Sequence, residues 1–264
     1  MDDIKKVLLE TLGEFHDFCE KNDLEYFLIG GTLLGAVRHN GFIPWDDDID
    51  IVMPRKDYDK LISLSLCFQK PLKLRSFFTE KNFIHPFLKL TNEKVIVEEG
   101  EYNPFVSGVW IDIFPLDYTF NNAYLQSLHF SIVYRLRLAL ILKYNLAPLR
   151  SYTFKKRLVA TTLKPIAKIT PKAAINALFK VNEKIPNLLF RTQKTQLANL
   201  YGAWGTKEIA PQKVFNERQL YDFEGKRFWG PKDAHYWLNS VYGDYMKLPP
   251  EAERGSHNLK ASNK

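Results

Sequence analysis

The stretch Gly30-Gly31-Thr32-Leu33-Leu34-Gly35-Ala36-Val37-Arg38-His39-Asn40-Gly41-Phe42-Ile43-Pro44-Trp45-Asp46-Asp47-Asp48-Ile49-Asp50-Ile51 carries the reading of this chain. A glycine turn stands close ahead of an acidic strand. Side chains of a strand alternate faces, and residues two apart lie roughly 6.5–7 Å from each other on one face. Asp48 and Asp50 therefore share a face, with Ile49 and Ile51 on the other. Two such carboxylates repel unless a cation lies between them. Mg²⁺ suits them, since it binds one or two carboxylates together with phosphate oxygens and water. Asp46 is in phase with the pair, whereas Asp47 is out of phase and reads as a cap or salt-bridge partner. Gly30 and Gly31 let the backbone approach a phosphate closely. Thr32 is expected to cap a short helix through about Arg38. A turn followed by a two-carboxylate strand is a metal–nucleotide arrangement, which outweighs a merely solvated acidic turn.

Outward from this segment, residues 3–21 show helical spacing, and Tyr26 to Ile29 is a short strand entering the glycine turn. Asp48 to Met53 is a strand stopped by Pro54, and 55–66 is helical. Shorter β-type runs lie near 72–78, 84–91, 94–98 and 109–114. Asp112 stands between Ile111 and Ile113 in a run fit for burial. A carboxylate there needs a metal site shared with Asp48 and Asp50, or else a core Arg or amide partner. Asp117, after Pro115, reads as a turn cap. Arg38 is placed either to grip a phosphate with two parallel hydrogen bonds or to make a surface salt bridge. Lys89, alone among apolar neighbours, either reaches a phosphate or snorkels to water. The six histidines form no ligand pattern and read as structural.

Charge is unevenly distributed. The net charge is +7, yet residues 118–182 contain no Asp or Glu and eleven basic residues. These are Arg135, Arg137, Lys143, Arg150, Lys155, Lys156, Arg157, Lys164, Lys168, Lys172 and Lys180. The other 26 lysines and arginines are outnumbered by 30 acids. That stretch asks for an anionic partner, such as an anionic membrane surface. Residues 122–145 and 151–184 read as helical, with breaks at Pro165 and Pro171. Aromatics return from about 196, and the tail after 250 is polar and expected to be mobile. The expected fold is α+β, with a small mixed sheet and helices forming a catalytic core over 1–117. A basic helical insert follows over 118–195, then an aromatic-rich segment over 196–250 that packs on the core, then a flexible tail over 251–264.

Aromatic content of 14% allows a sizeable core. The two cysteines make no disulfide framework and point to a reducing compartment. Acids precede any apolar run at Met1-Asp2-Asp3-Ile4-Lys5-Lys6, unlike a signal peptide. Charges interrupt every long apolar stretch, so no membrane-spanning helix is expected. The expected location is cytoplasmic, with peripheral attachment to the inner face of the plasma membrane. No nucleic-acid motif is visible, so no nucleic-acid partner is expected.

The glycine–aspartate run, together with Trp110-Ile111-Asp112-Ile113-Phe114-Pro115-Leu116-Asp117 and Tyr242-Gly243-Asp244-Tyr245-Met246-Lys247-Leu248-Pro249-Pro250, resembles the LicD family of phosphotransferases. The resemblance spans roughly 20–117 and 200–257. It implies a nucleotidyltransferase-type core with Gly30, Gly31 and Thr32 in a phosphate turn. It implies Mg²⁺, or Mn²⁺, on Asp46, Asp48, Asp50 and Asp112, with Arg38 and Lys89 toward the substrate. The implied reaction moves a phospho-alcohol such as phosphocholine from a CDP-linked donor to a sugar hydroxyl of a cell-surface glycan, releasing CMP, with Asp112 or Asp46 taking the hydroxyl proton. A ribitol- or glycerol-phosphate transferase of the same type is the alternative, and the acceptor glycan, lipid-linked at a membrane or free, would then face the basic stretch. The rival readings are a nucleotidyltransferase acting on a small alcohol or antibiotic and a non-catalytic basic binding protein.

Overall fold

The computed structural model describes residues 3–77, 80, 83–99, 105–147, 153–189, 195–251, 254–255 and 260–261. Its elements in chain order are α1 (Asp3–Lys21), β1 (Phe27–Leu28), α2 (Gly30–His39), β2 (Asp50–Pro54), α3 (Arg55–Ser63), β3 (Leu72–Arg75), β4 (Leu88–Glu99) and β5 (Phe105–Thr119). There follow α4 (Ala123–Tyr144), α5 (Phe154–Ile169), α6 (Lys172–Leu189), β6 (Gln196–Asn199), β7 (Ile209–Pro211), β8 (Arg218–Phe223), β9 (Lys226–Pro231), α7 (Ala234–Tyr242) and β10 (Lys260–Ala261). The architecture is α+β.

One mixed sheet runs β1-β2-β5-β4-β10, with β3 on β4 and β6 on β5. The β2–β5 pair is parallel and sets Asp50 beside Asp112. All its other pairs are antiparallel. The expected β-runs near 84–91 and 94–98 are one strand, β4, whose register shifts between Asn92 and Ile96. Asn92 is buried there and donates to Thr11 Oγ1 of α1 at 3.0 Å. Residue 78 of the expected 72–78 run lies outside the described residues.

Pro115 does not end β5. Asp112 N–H donates toward β2, to Ile49 O at 2.8 Å. By alternation the nitrogen of residue 115 faces the other edge. Pairing with β4 ends there at Ile113, and pairing with β6 begins at Leu116. The missing N–H thus falls in a gap of the ladder, where proline is tolerated.

Leu8, Leu12 and Phe15 of α1 are fully buried in the core. The β8–β9 hairpin turns at Glu224-Gly225, both at positive φ. Glu224 N–H donates to Asn40 O, and Glu224 Oε1 accepts from Phe42 N–H. This fixes the loop that leads into the aspartates and ties the β8–β9 hairpin to it. Pro165 lies inside α5, while Pro171 separates α5 from α6. Arg150, with 148–152, lies outside the described residues. The basic segment shares the main core through Val133, Leu140, Ile175 and Phe179. By length and composition α4 is apolar enough to cross a membrane, with a third of its most apolar window buried. This corrects the expectation that no helix would qualify: a window holding only Arg135 and Arg137 as charges keeps its mean hydropathy high. In the tail, Lys260–Ala261 pairs with β4. Residues 252–253, 256–259 and 262–264 of the expected flexible tail lie outside the described residues.

Candidate active site

Asp50 and Ile51 begin β2, and Ile49 and Ile51 are fully buried. The strand is shorter than Asp48–Met53, but Asp48 and Asp50 line the cleft while Ile49 and Ile51 are buried, so the alternation of faces holds. Asp46, Asp48, Asp50 and Asp112 all line one cleft of about 520 Å³. Gly30 and Gly31, at the start of α2, line it too. A Cβ on Gly31 would stand 2.2 Å from Asp46 Oδ2, and one on Gly30 2.8 Å from Asp50 Oδ2. Gly30 also has φ +57. The glycines make room for the carboxylates as well as for an anion near the helix N-terminus.

Thr32 is not the cap. The helix begins at Gly30 with Ile29 in the N-cap position, so Thr32 lies inside it. Its Oγ1 accepts from Asp50 N–H at 2.8 Å and it is buried, lining neither cleft. Its role is to tie α2 to β2, because a hydroxyl there satisfies an amide that the short β1–β2 pairing leaves over.

Burial raises the Asp50 carboxyl well above the usual carboxylate range, and Asp48, Asp112 and Asp46 add to the rise. Lys89 is buried rather than snorkelled. Its Nζ lies 3.3 Å from Asp112 Oδ1, an ion pair outside hydrogen-bond geometry, and 3.9 Å from the Trp110 ring centroid. Among the described residues, no three acidic, His or Cys side chains are already gathered as a metal cage. The donor set nevertheless fits a hard divalent cation. Four carboxylates face one cleft, and a cation would relieve the repulsion that adds to the rise burial gives Asp50.

Arg38 falls outside this cleft. It lines a neighbouring one of about 360 Å³ with Trp45, Tyr245 and Lys247. The two clefts share Gly31, Asp46, Trp204 and Tyr242. Arg38 Nη1 donates to Tyr245 O at 2.7 Å and Nε to His39 Nε2 at 3.0 Å.

Asp117 is no turn cap. It is buried on β5 and takes both arms of Arg55, with Nε at 2.7 Å from Oδ1. Strand β5 simply continues past Pro115 and carries Asp117 into the core. Glu183 of α6 lies 3.3 Å from the same guanidinium and accepts from the Tyr201 hydroxyl.

Sequence reasoning missed His85, Arg137, Asn199 and Glu208, all of which line the carboxylate cleft. Arg137 comes from the basic segment, and its Nη1 donates to Tyr201 O at 2.8 Å. Burial pushes the Glu208 carboxyl up to about 7, against donation from Trp204 N–H and Asn199. No local pattern marks these four residues; of the C-terminal lining, only Tyr242 falls in a motif visible in the sequence.

An α+β core with a glycine turn and clustered aspartates defines a nucleotidyltransferase-type enzyme site. Residues 23–161 match the family described as LicD/FKTN/FKRP, nucleotidyltransferase domain. The chain is 30% identical over 275 residues to the lipopolysaccharide cholinephosphotransferase LicD of Haemophilus influenzae, covering 96% of this chain and 94% of that protein. It is 44% identical over 46 residues to the human ribitol 5-phosphate transferase FKRP, covering 17% of this chain and 9% of that one. An uncharacterized protein of Rickettsia prowazekii, RP689, is 46% identical over 50 residues, 19% of each chain. The chain belongs to the LicD family and is a phosphotransferase.

Proposed function

We propose that the enzyme transfers a phospho-alcohol, phosphocholine foremost, from a CDP-linked donor to a sugar hydroxyl of a cell-surface glycan. The observation that carries this reading is the convergence of Asp46, Asp48, Asp50 and Asp112 on one cleft, in a chain that runs nearly the full length of a lipopolysaccharide cholinephosphotransferase. Those four residues would hold Mg²⁺, or Mn²⁺ in its place. A divalent ion bound there supplies charge neutralisation for the diphosphate and polarisation at phosphorus.

The chain's own groups do the rest. The α2 N-terminus at Gly30 and Gly31 offers amides to a phosphate. Lys89 balances the charge of Asp112, and Arg38 reaches the donor from the adjoining cleft through Nη2, since Nη1 donates to Tyr245 O and Nε to His39. The acceptor oxygen bonds to the phosphorus bearing the alcohol. The bond from that phosphorus to the CMP oxygen breaks, and CMP leaves with the electron pair. The acceptor proton passes to Asp46 or Asp112. Catalysis then rests on positioning and charge stabilisation.

Tyr201, Trp204 and Tyr242 in the cleft wall support a cationic alcohol such as choline. A ribitol- or glycerol-phosphate donor is the second reading, supported by the short match to the human relative. The test is to incubate the enzyme with Mg²⁺, lipopolysaccharide-type glycan and CDP-choline, CDP-ribitol or CDP-glycerol in turn. CMP release with CDP-choline is expected. Pyrophosphate release from a nucleoside triphosphate, with no CMP from any of the three, would reassign the protein as a nucleotidyltransferase.

A further inference from the structure

Helix α5 turns an apolar face outward. Phe154 is 84% exposed, Leu158 62% and Ile169 82%, and the three share one side of the helix. Val159 and Ile166 are exposed beside them, while Ala160 and Ala167 on the opposite side are buried. Arg157, Lys164 and Lys168, at seven- and four-residue spacing, line one flank of the apolar stripe. Helix α6 repeats the arrangement, with Leu178, Val181, Leu188 and Leu189 exposed and Ile175 and Phe179 buried.

The two stripes meet. Ile166 of α5 and Leu178 of α6 line a single apolar groove of about 340 Å³, floored by Ile132, Leu136 and Ala139 of α4 and flanked by Arg135. Exposed apolar surface on this scale marks an interaction site. An amphipathic helix in a soluble domain ordinarily turns its apolar stripe to the core; here none of the described residues covers the outward stripes.

We propose that α5, α6 and the groove between them and α4 dock on an anionic lipid bilayer. Charge decides the occupant. The whole segment 118–182 lacks acids, so a second copy meeting it face to face would set like charges against each other. A bilayer presents an anionic layer above an apolar one. That order matches exposed Phe, Leu and Ile with basic side chains at their flank. Arg137 and Arg135 point from α4 in opposite directions, to the cleft and to the groove. Docking therefore turns the groove side of α4 toward the lipid, with the carboxylate cleft on the other side of that helix. The inference does not depend on which donor the enzyme uses.

The test is co-sedimentation of the full chain with vesicles of phosphatidylcholine alone and of phosphatidylcholine mixed with phosphatidylglycerol. The protein should bind the anionic vesicles, and added salt should weaken the binding. Replacing Phe154, Leu158 and Ile169 by Ser should abolish binding at every salt concentration. Replacing Arg157, Lys164 and Lys168 by Gln should weaken it roughly tenfold to a hundredfold. None of the six residues is buried, so unchanged circular dichroism should accompany both losses. No sedimentation of the wild type with anionic vesicles at low salt would overturn the proposal. So would binding that both variants retain, or a wild-type dimer in light scattering that the Ser variant turns into a monomer.

Discussion

Strand β5 carries two buried or half-buried aspartates five residues apart, and their surroundings are opposite. Asp117 meets both arms of Arg55, and Glu183 closes on the same guanidinium. Burial by itself would lower the Arg55 guanidinium, but Asp117 and Glu183 outweigh it and raise it. Asp112 stands beside Asp50 with Lys89 as its cation, while Asp46 and Asp48 face the same cleft. One cluster holds its guanidinium in a rigid fork. The other keeps carboxylates in excess, and its Asp50 is held toward the neutral form. A buried cluster satisfied from within is a fastening. A cluster short of positive charge and open to a cleft is suited to take a cation and a phosphate.

The strongest way to sharpen the contrast is Asp50→Asn. Turnover with limiting Mg²⁺ should fall roughly 10³-fold or more, because a divalent ion contributes several kcal/mol to the transition state. The metal-free protein should melt higher at pH 7–8 than the wild type. The sign follows from the raised carboxyl: its ionisation burdens the fold as pH rises above 3.8, and Asn removes that burden. The gap in Tm should narrow toward pH 4, which calorimetry across pH would read. Equal activity in the variant would end the metal assignment.

Arg55→Met should act in reverse on the fastened cluster. It leaves Asp117 and Glu183 buried without their cation and should lower stability by about 3–5 kcal/mol in urea unfolding. A loss below about 1 kcal/mol would mean that the two clusters do not differ in kind.

Arg38→Ala tests whether the adjoining cleft belongs to the site. Losing one charge-assisted contact should lower kcat/KM by roughly tenfold to a hundredfold, about 1.5–3 kcal/mol. Arg38→Lys should recover little, since a point charge lacks the fork. Unchanged kinetics would leave Arg38 as a strut for Tyr245 only.

The smallest effect concerns His129, near the fastened cluster. It is buried, with Nε2 donating to Asn182 O and Nδ1 accepting from Thr119. Burial lowers its pKa below 6.5. Its contribution to stability is therefore present above pH 6.5 and lost as pH falls through the lowered value. A shallow fall in Tm below pH 6.5, absent in His129→Gln, is expected from a melting series.

Much of the carboxylate site is legible in the residues alone. Asp46, Asp48 and Asp50 betray a shared face by spacing, and Asp112 betrays itself as a carboxylate among isoleucines. Thr32 and Asp117 are not legible in this way, because a helix cap and a turn cap are inferences from neighbours in the chain. In both cases a distant partner decides: Asp50 N–H for Thr32 and Arg55 for Asp117. Arg137 and Glu208 carry no signal, since a lone base or acid on a helix or turn looks the same whether it faces water or a cleft.

By itself the sequence determined the periodic and the short-range: the amphipathic α1, the alternation around Asp50, the glycines ahead of it, and the acid-free middle. Alternation and helical pitch are properties of the backbone, so neighbours in sequence suffice to read them. Tertiary structure alone decided that β2 lies parallel to β5, which sets Asp112 beside Asp50. It alone decided that α4 lends Arg137 to the cleft while α5 and α6 turn their apolar stripes away from the core. Those outcomes depend on which surfaces meet across some sixty to one hundred residues of chain, and burial energy, being non-directional, leaves no mark of its partner in the local sequence.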